Sequence, residues 1–427
     1  MIYTDVCIVG AGPGGAATAL KLSYLGIPCV LVDKAVFPRD KICGDAISGK
    51  VTTLLNRLDP AILERFRACA TQIDVWGIKF VAPNLKSFEI PFQLNDENDK
   101  TSAPGYVSRR LDFDQFLVEE VQRRENIQLF QGTSITEYER QEAGFLVGNA
   151  NGSFQVSARI LIVANGANSS FSRKYAGLTK DPKHNAGAVR AYYKNVGAMS
   201  DGNFLELHFL KTIVPGYFWI FPLPGGYANV GLGMRTDVIS KHKLNLRKEL
   251  EHVIQTHPVL AERFQNAELT SSIKGFGLPL GSKKRIISGD HYMLVGDAAY
   301  LIDPLTGEGI GNAFYSGFIA AEQAQKCLEC NDFSAAYLKA YDVRVDRVLG
   351  SEMRLSYKLQ KILRYPLLVN TLTGIISNNR QIIDFFSKMY VDFSVREQLV
   401  KPWFWMKMWG RQVINIKESE GVKKVKE

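Results

Sequence analysis

Apolar positions follow two rhythms along this chain. Residues 3–9 (YTDVCIV) form a short, mainly apolar run, GAGPGG follows at 10–15, AATALKLSYLG has helical composition, and IPCVLVDK adds a second run. Short runs bounded by glycine suit buried parallel strands, so this segment predicts strand, turn, helix, strand. YMLVGDAAYLIDPLTGEGIGNAF at 292–314 likewise predicts a strand ending at Gly296-Asp297, a loop, and a helix with a glycine-rich first turn. The other rhythm is alternation. PGYFWIFPLPGG at 215–226 sits in a stretch, Thr212 to Met234, without a charged residue. That length could span a membrane, but Pro215, Pro222, Pro224 and the glycines around them would break the helix. A strand from Gly216 to Phe221, a turn at LPGG and a return through YANVGLGM fit better, with Tyr217, Trp219 and Phe221 on one face.

Composition narrows the class. The 427 residues are 46% hydrophobic and 11% aromatic, enough for two or three domains with a core and incompatible with a disordered chain. MIYTDVCIVG has no basic region or cleavage site of a secretory signal, which predicts a cytoplasmic setting. Cys7, Cys29, Cys43, Cys69, Cys327 and Cys330 are scattered and read as reduced thiols. CLEC at 327–330 has metal spacing but no partner ligands, so no metal site is expected. The net charge is +9, and residues 401–427 hold seven Lys or Arg against three Glu. There KPWFWMKMWGR interleaves Trp403, Phe404, Trp405 and Trp409 with bases. Such a tail suits peripheral contact with an anionic membrane, or packs its aromatics on the body and its lysines in water. No nucleic-acid motif accompanies the charge.

The glycine turn carries the first chemistry. Gly10 permits a tight turn, Gly12 lets the backbone approach a pyrophosphate, Gly15 lets helix and strand pack closely, and Pro13 can open the helix. Phosphates would lie at the helix N-terminus. Asp33, 18 residues after Gly15, ends the second strand beside Lys34 and can accept hydrogen bonds from a ribose. The motif specifies a dinucleotide without choosing one.

The second motif chooses. Residues 292–314 resemble the second flavin fingerprint of FAD enzymes with the p-hydroxybenzoate hydroxylase fold. The resemblance implies that Asp297 holds the ribityl chain and that Gly307, Gly309 and Ile310 turn backbone N–H groups toward the flavin pyrimidine edge, where a helix N-terminus favours negative charge. SRRLDFDQFL matches the same family's R-x-x-F-D-x-x-L and implies that Arg110 lies near FAD. Where the family usually has Asp-Gly this chain has Asn165-Gly166, removing a charge associated with nicotinamide binding. The external reductant is then NAD(P)H or a ferredoxin-like donor protein.

Within that fold the chain resembles the geranylgeranyl reductases, which carry Y-x-W-x-F-P, seven or eight residues, then G-x-G. Here stand Tyr217, Trp219, Phe221 and Pro222, then eight residues, then Gly231 and Gly233. The resemblance implies an aromatic wall for a long prenyl chain. At FPRDKICGDAISG, Lys41, Cys43 and Gly44 match the family's Lys-x-Cys-Gly-Gly, and Asp45 replaces the second glycine. In that family the cysteine loop passes over the flavin, which makes Cys43 the candidate catalytic residue and, with Gly44, part of the cofactor site.

The expectation is an α/β flavoprotein. A Rossmann-like FAD-binding domain would be assembled from residues 1–75, 103–180 and 276–345, with an antiparallel substrate sheet from 76–102 and 181–275 and a helical extension from 346 to 427. The function implied is FAD-dependent saturation of C=C bonds in a geranylgeranyl-type lipid. A flavin monooxygenase or halogenase acting on a hydrophobic aromatic is the alternative within the fold, and a prenyl-lipid carrier with structural FAD is the alternative outside enzymes.

Overall fold

The computed structural model describes residues 1–92, 103–380, 382–384 and 387. The first strand, β1 (Ile2–Val9), leads into α1 (Pro13–Tyr24) and back to β2 (Cys29–Val32). Gly10 adopts φ +106° at the turn, and a Cβ there would lie 2.5 Å from the Ala164 carbonyl oxygen, so no side chain fits. At Gly15 a Cβ would lie 1.7 Å from the Gly10 oxygen, so this glycine allows the helix to rise tightly off its own turn. β1 and β2 pair in parallel, and β3 (Gln155–Val163) flanks β1 on its other side with Val6 opposite Ile160. The sheet continues through Tyr292–Leu294 at one end and Ile127–Phe130 at the other. Val6 to Val9, Val30 to Val32 and Ile160 to Val163 are all buried, as a parallel sheet covered on both faces requires. α1 packs against the long helix that begins after the second glycine turn. A further helix, α2 (Arg110–Gln122), lies against α1.

The second sheet is antiparallel except where Leu205–His208 runs parallel to Gly77–Val81. At its centre are β4 (Asn185–Lys194) and the hairpin β5 (Tyr217–Leu223) and β6 (Tyr227–Arg235), with Trp219 opposite Gly231 and Phe221 opposite Asn229. The hairpin is as the alternation predicts, two residues longer than Phe221 on its first arm. Its faces have different partners. Phe218 and Ile220 pack on Leu250 and Val253 of α3 (Leu246–Thr256) and on Leu260 and Phe264 of α4 (Pro258–Phe264). Each such burial contributes about 1.5–3 kcal/mol. These helices were not anticipated from the sequence, because each is short and its apolar face has only two or three members. Trp219 and Phe221 look the other way, toward Val75 and Val107 of a small third sheet that connects the two large ones.

The long helix α5 (Ile310–Cys330) is followed by a helix, Ala335–Val345, that packs on the end strands of the first sheet, and helices Ser351–Ile362 and Pro366–Ser377 follow further on. All six cysteines are free, and Cys327 and Cys330 sit in the last turns of α5 with no metal-binding cluster among the described residues. No helix among the described residues is long and apolar enough to cross a membrane. The tail from 401 to 427, with its tryptophans and lysines, lies outside the described residues.

Candidate active site

A cavity of about 840 Å³ runs between the two large sheets. Its first half is lined by Gly10, Gly12, Asp33, Lys34 and Arg110, and by Asp297, Gly307, Gly309 and Ile310 from the second glycine turn. Tyr217, Trp219, Phe221 and Gly233 line the other half, and Cys43 and Gly44 belong to the same wall. Gly15, Pro222 and Gly231 are not on the wall. Pro222 is a buried partner of Ala228 in the hairpin. Gly231 lies behind Trp219: a Cβ there would stand 2.3 Å from Trp219 Cζ2 and 2.3 Å from the Val189 oxygen, so the missing side chain is the space the indole occupies.

The cofactor end is built from helix termini and charge. Gly12 caps α1 and Gly309 caps α5 with no side chain of their own; at α5 the Glu308 carboxylate accepts from Gly311 N at 2.5 Å, and the other first-turn N–H groups are left for a ligand. Asp33 ties the glycine turn to its own loop, its Oδ2 accepting from Ala11 N at 2.6 Å and its Oδ1 from Ala35 N at 2.8 Å. Lys41 Nζ pairs with Asp297 Oδ2 at 3.2 Å. Arg110 makes a bidentate pair with Asp114, 2.7 Å on each arm, and Arg39 reaches the same carboxylate at 2.5 Å. Burial alone would lower the Arg110 pKa, but Asp114 and a hydrogen bond with Cys43 raise it, so a fixed cation stands beside the thiol. On the cavity wall Asn165 Oδ1 is buried without a hydrogen-bond partner. Open helix termini, an orphaned polar atom and a loop that a bulkier residue at Gly12 would narrow fit a flavin dinucleotide.

The two halves meet at the cysteine loop. A Cβ on Gly44 would lie 3.1 Å from Phe221 Cε2 and 3.9 Å from Trp219 Nε1, so the loop rests on the aromatic wall. The Tyr217 hydroxyl donates to the Thr306 carbonyl, which fastens the same wall to the loop before α5. Asn229, on the cavity face of the hairpin, joins them: its Oδ1 accepts from Trp219 Nε1 at 2.9 Å and its Nδ2 donates to the Cys43 carbonyl at 2.8 Å. The sequence reading missed Asn229. Its alternation with Tyr227 and Gly231 places it on that face, yet nothing local gives an asparagine there a partner 186 residues away.

This fold and cavity define an FAD-dependent oxidoreductase with a large apolar chamber beside the flavin site. Residues 3–209 match the family profile described as FAD binding domain, and residues 186–275 match the geranylgeranyl reductase catalytic domain. The chain belongs to the geranylgeranyl reductase family, whose members act on carbon–carbon double bonds. It is 31% identical to digeranylgeranylglycerophospholipid reductase 2 of Methanopyrus kandleri over 84% of this chain and 86% of that one. In structure it is similar to a geranylgeranyl bacteriochlorophyll reductase-like protein of Thermoplasma acidophilum (TM-score 0.77, 24% identity, 93% of this chain and 99% of that one). A flavin-dependent brominase has the same fold (TM-score 0.73, 21% identity, 91% of this chain and 93% of that one). At that identity the likeness concerns the fold alone.

Proposed function

We propose that the protein saturates double bonds in the prenyl chains of an isoprenoid glycerophospholipid. The observation that carries this reading is the contact of the cysteine loop with Trp219 and Phe221, which puts a thiol between the dinucleotide cradle and a chamber suited to a long apolar chain. Bound FAD in its reduced form supplies hydride. The chain's own residues do the rest. Tyr217, Trp219 and Phe221 hold the chain by burial and exclude water, which matters because an isolated alkene accepts hydride poorly. In this reading Cys43 supplies the proton that the second alkene carbon requires, and Arg110 beside it keeps a positive charge on that side of the cavity. The reductant is NAD(P)H or a ferredoxin-like protein, and the basic, tryptophan-rich segment near the C-terminus gives the enzyme a hold on the bilayer where its substrate resides.

The test is anaerobic incubation of reduced, FAD-loaded protein with a digeranylgeranyl glycerophospholipid, followed by mass spectrometry. Two added hydrogens per double bond are expected. Incorporated oxygen or halogen, or an unchanged lipid, would overturn the reading.

A further inference from the structure

Asp45 follows Cys43 and Gly44 on the cavity wall with its carboxylate fully buried. Its φ is +68°, a conformation that costs a residue with a side chain about 1–2 kcal/mol relative to glycine. The carboxylate is not used to cap its own turn. Oδ2 accepts from Tyr192 Oη at 2.8 Å and from Asn229 Nδ2 at 2.7 Å, and Oδ1 accepts from Arg110 N at 3.3 Å. These donors come from β4, β6 and the start of α2. None is a cation, and among the described residues no ion pair involves Asp45. An acid kept out of water, at a strained backbone position, joined to three elements and bordering the reaction chamber is more than a structural polar group requires.

Of the three residues that donate to this acid, Tyr192 alone is not fully buried. Tyr192 is half-buried, and its ring lies under the guanidinium groups of Arg190 at 4.1 Å and Arg109 at 5.0 Å. Its hydroxyl therefore joins the buried carboxyl to the one donor residue that is partly exposed. The inner side faces the chamber next to Cys43 and, through Asn229, the Trp219 indole.

We propose that Asp45 is the proton store of the site: its carboxyl releases a proton into the chamber beside Cys43 and recovers one through the Tyr192 hydroxyl. This rests on the double-bond reduction proposed above. Each reduction consumes one hydride, which carries two electrons, and one proton. The alkene takes its proton from the Cys43 thiol, and Asp45 restores that proton and is left as carboxylate. The Tyr192 hydroxyl then passes its proton to the carboxylate while accepting one from the solvent side, so neither residue changes over a full cycle.

The titration supports the geometry. Burial pushes the Asp45 carboxyl up to about 6, against the pull of hydrogen bonds from Asn229 and Tyr192 and of the charges on Arg190 and Arg110. The titratable or charged groups facing it are Tyr192 and Arg190 from β4, Arg110 and Arg109 from the α2 start, and Cys43 from its own loop. The store is full below about pH 6 and empties above it.

Two measurements on the FAD-loaded enzyme test this. In infrared difference titration without lipid, wild type should show a protonated-carboxyl band lost as pH rises through about 6, and Asp45→Asn should lack it. Asp342 titrates in the same range but should contribute equally to both proteins. In steady-state lipid reduction, wild type should slow as pH rises through the same range. Asp45→Asn should be at least about tenfold slower, as for loss of a general acid, and flat across it, with FAD content and lipid binding retained. Tyr192→Phe should slow turnover while keeping the infrared band. Asp45→Gly, whose backbone suits φ +68°, serves if the Asn variant folds poorly and should behave the same way. An unaltered band, or a variant with the wild-type rate and pH profile, overturns the store. If wild type adds no hydrogens to the lipid, the reduction itself is refuted, and the infrared titration alone decides whether Asp45 holds the proton.

Discussion

Cys43 is the residue on which the two halves of the site depend, and its environment separates chemistry from assembly. Its carbonyl is held by Asn229 and its thiol lies by the Arg110 guanidinium, while the dinucleotide phosphates and ribose are left to the glycine turns and Asp33. Cys43→Ser keeps the size and the backbone bond but replaces the thiol with a weaker acid. We expect anaerobic single-turnover reduction of a geranylgeranyl lipid to slow by about a hundredfold or more, the usual range for losing acid catalysis, with FAD content and lipid binding unchanged. Equal rates and identical product distributions would remove Cys43 from the chemistry.

At the scale of the element, the hairpin works because its two faces are assigned to different neighbours. The outward face is fixed by α3 and α4, and the inward face keeps its position only while Gly231 leaves room for the indole. Gly231→Ala places a methyl 2.3 Å from both the Trp219 ring and the Val189 carbonyl, and the carbonyl belongs to a paired strand that cannot retreat. Overpacking of this kind costs about 1–3 kcal/mol. Thermal unfolding should therefore fall by several degrees, and prenyl-lipid affinity should weaken as Trp219 is pushed into the chamber, with flavin occupancy kept. A variant with wild-type melting temperature and lipid affinity would show that the indole is not seated as described.

For the whole molecule, a buried ion pair on the face of the second sheet turned away from the cavity makes stability depend on pH. Glu206 accepts from Arg263 at 2.5 Å and 2.8 Å and pairs with His208 at 3.0 Å, which ties the second sheet to α4. Burial would raise the Glu206 pKa, but the hydrogen bonds from His208 and Arg263 hold it at about 2, below its ordinary 4.5. A depressed carboxyl pKa stabilises the fold above the unfolded value, and that contribution disappears as pH falls from about 4.5 to about 2. Glu206→Gln should cost about 3–5 kcal/mol near neutral pH by leaving Arg263 unpaired. Denaturant titrations across pH should show the gap between variant and wild type closing below pH 4.5. A gap that stays constant to pH 2 would mean that the pair contributes nothing through its charge.

Some of this was determined by sequence alone. The glycine turns at 10–15 and 307–310, the apolar runs beside them and the alternation at 217–221 are local patterns, since strand burial, helix entry and tight turns depend on residues a few positions apart. The tryptophan's spacing to Gly231 and Gly233 was visible in the same way. Tertiary structure alone decided what those elements face. Asn229 finds Cys43 and Asp45, Tyr192 finds Asp45, and Gly44 rests on Phe221 across separations of 147 to 186 residues. No periodicity encodes such pairs, because a hydrogen bond needs two groups about 3 Å apart and the sequence records only the order in which they are joined. Asp45 was legible as a departure from glycine, but its burial and its three donors exist only once the small third sheet, β4 and β6 have closed around it.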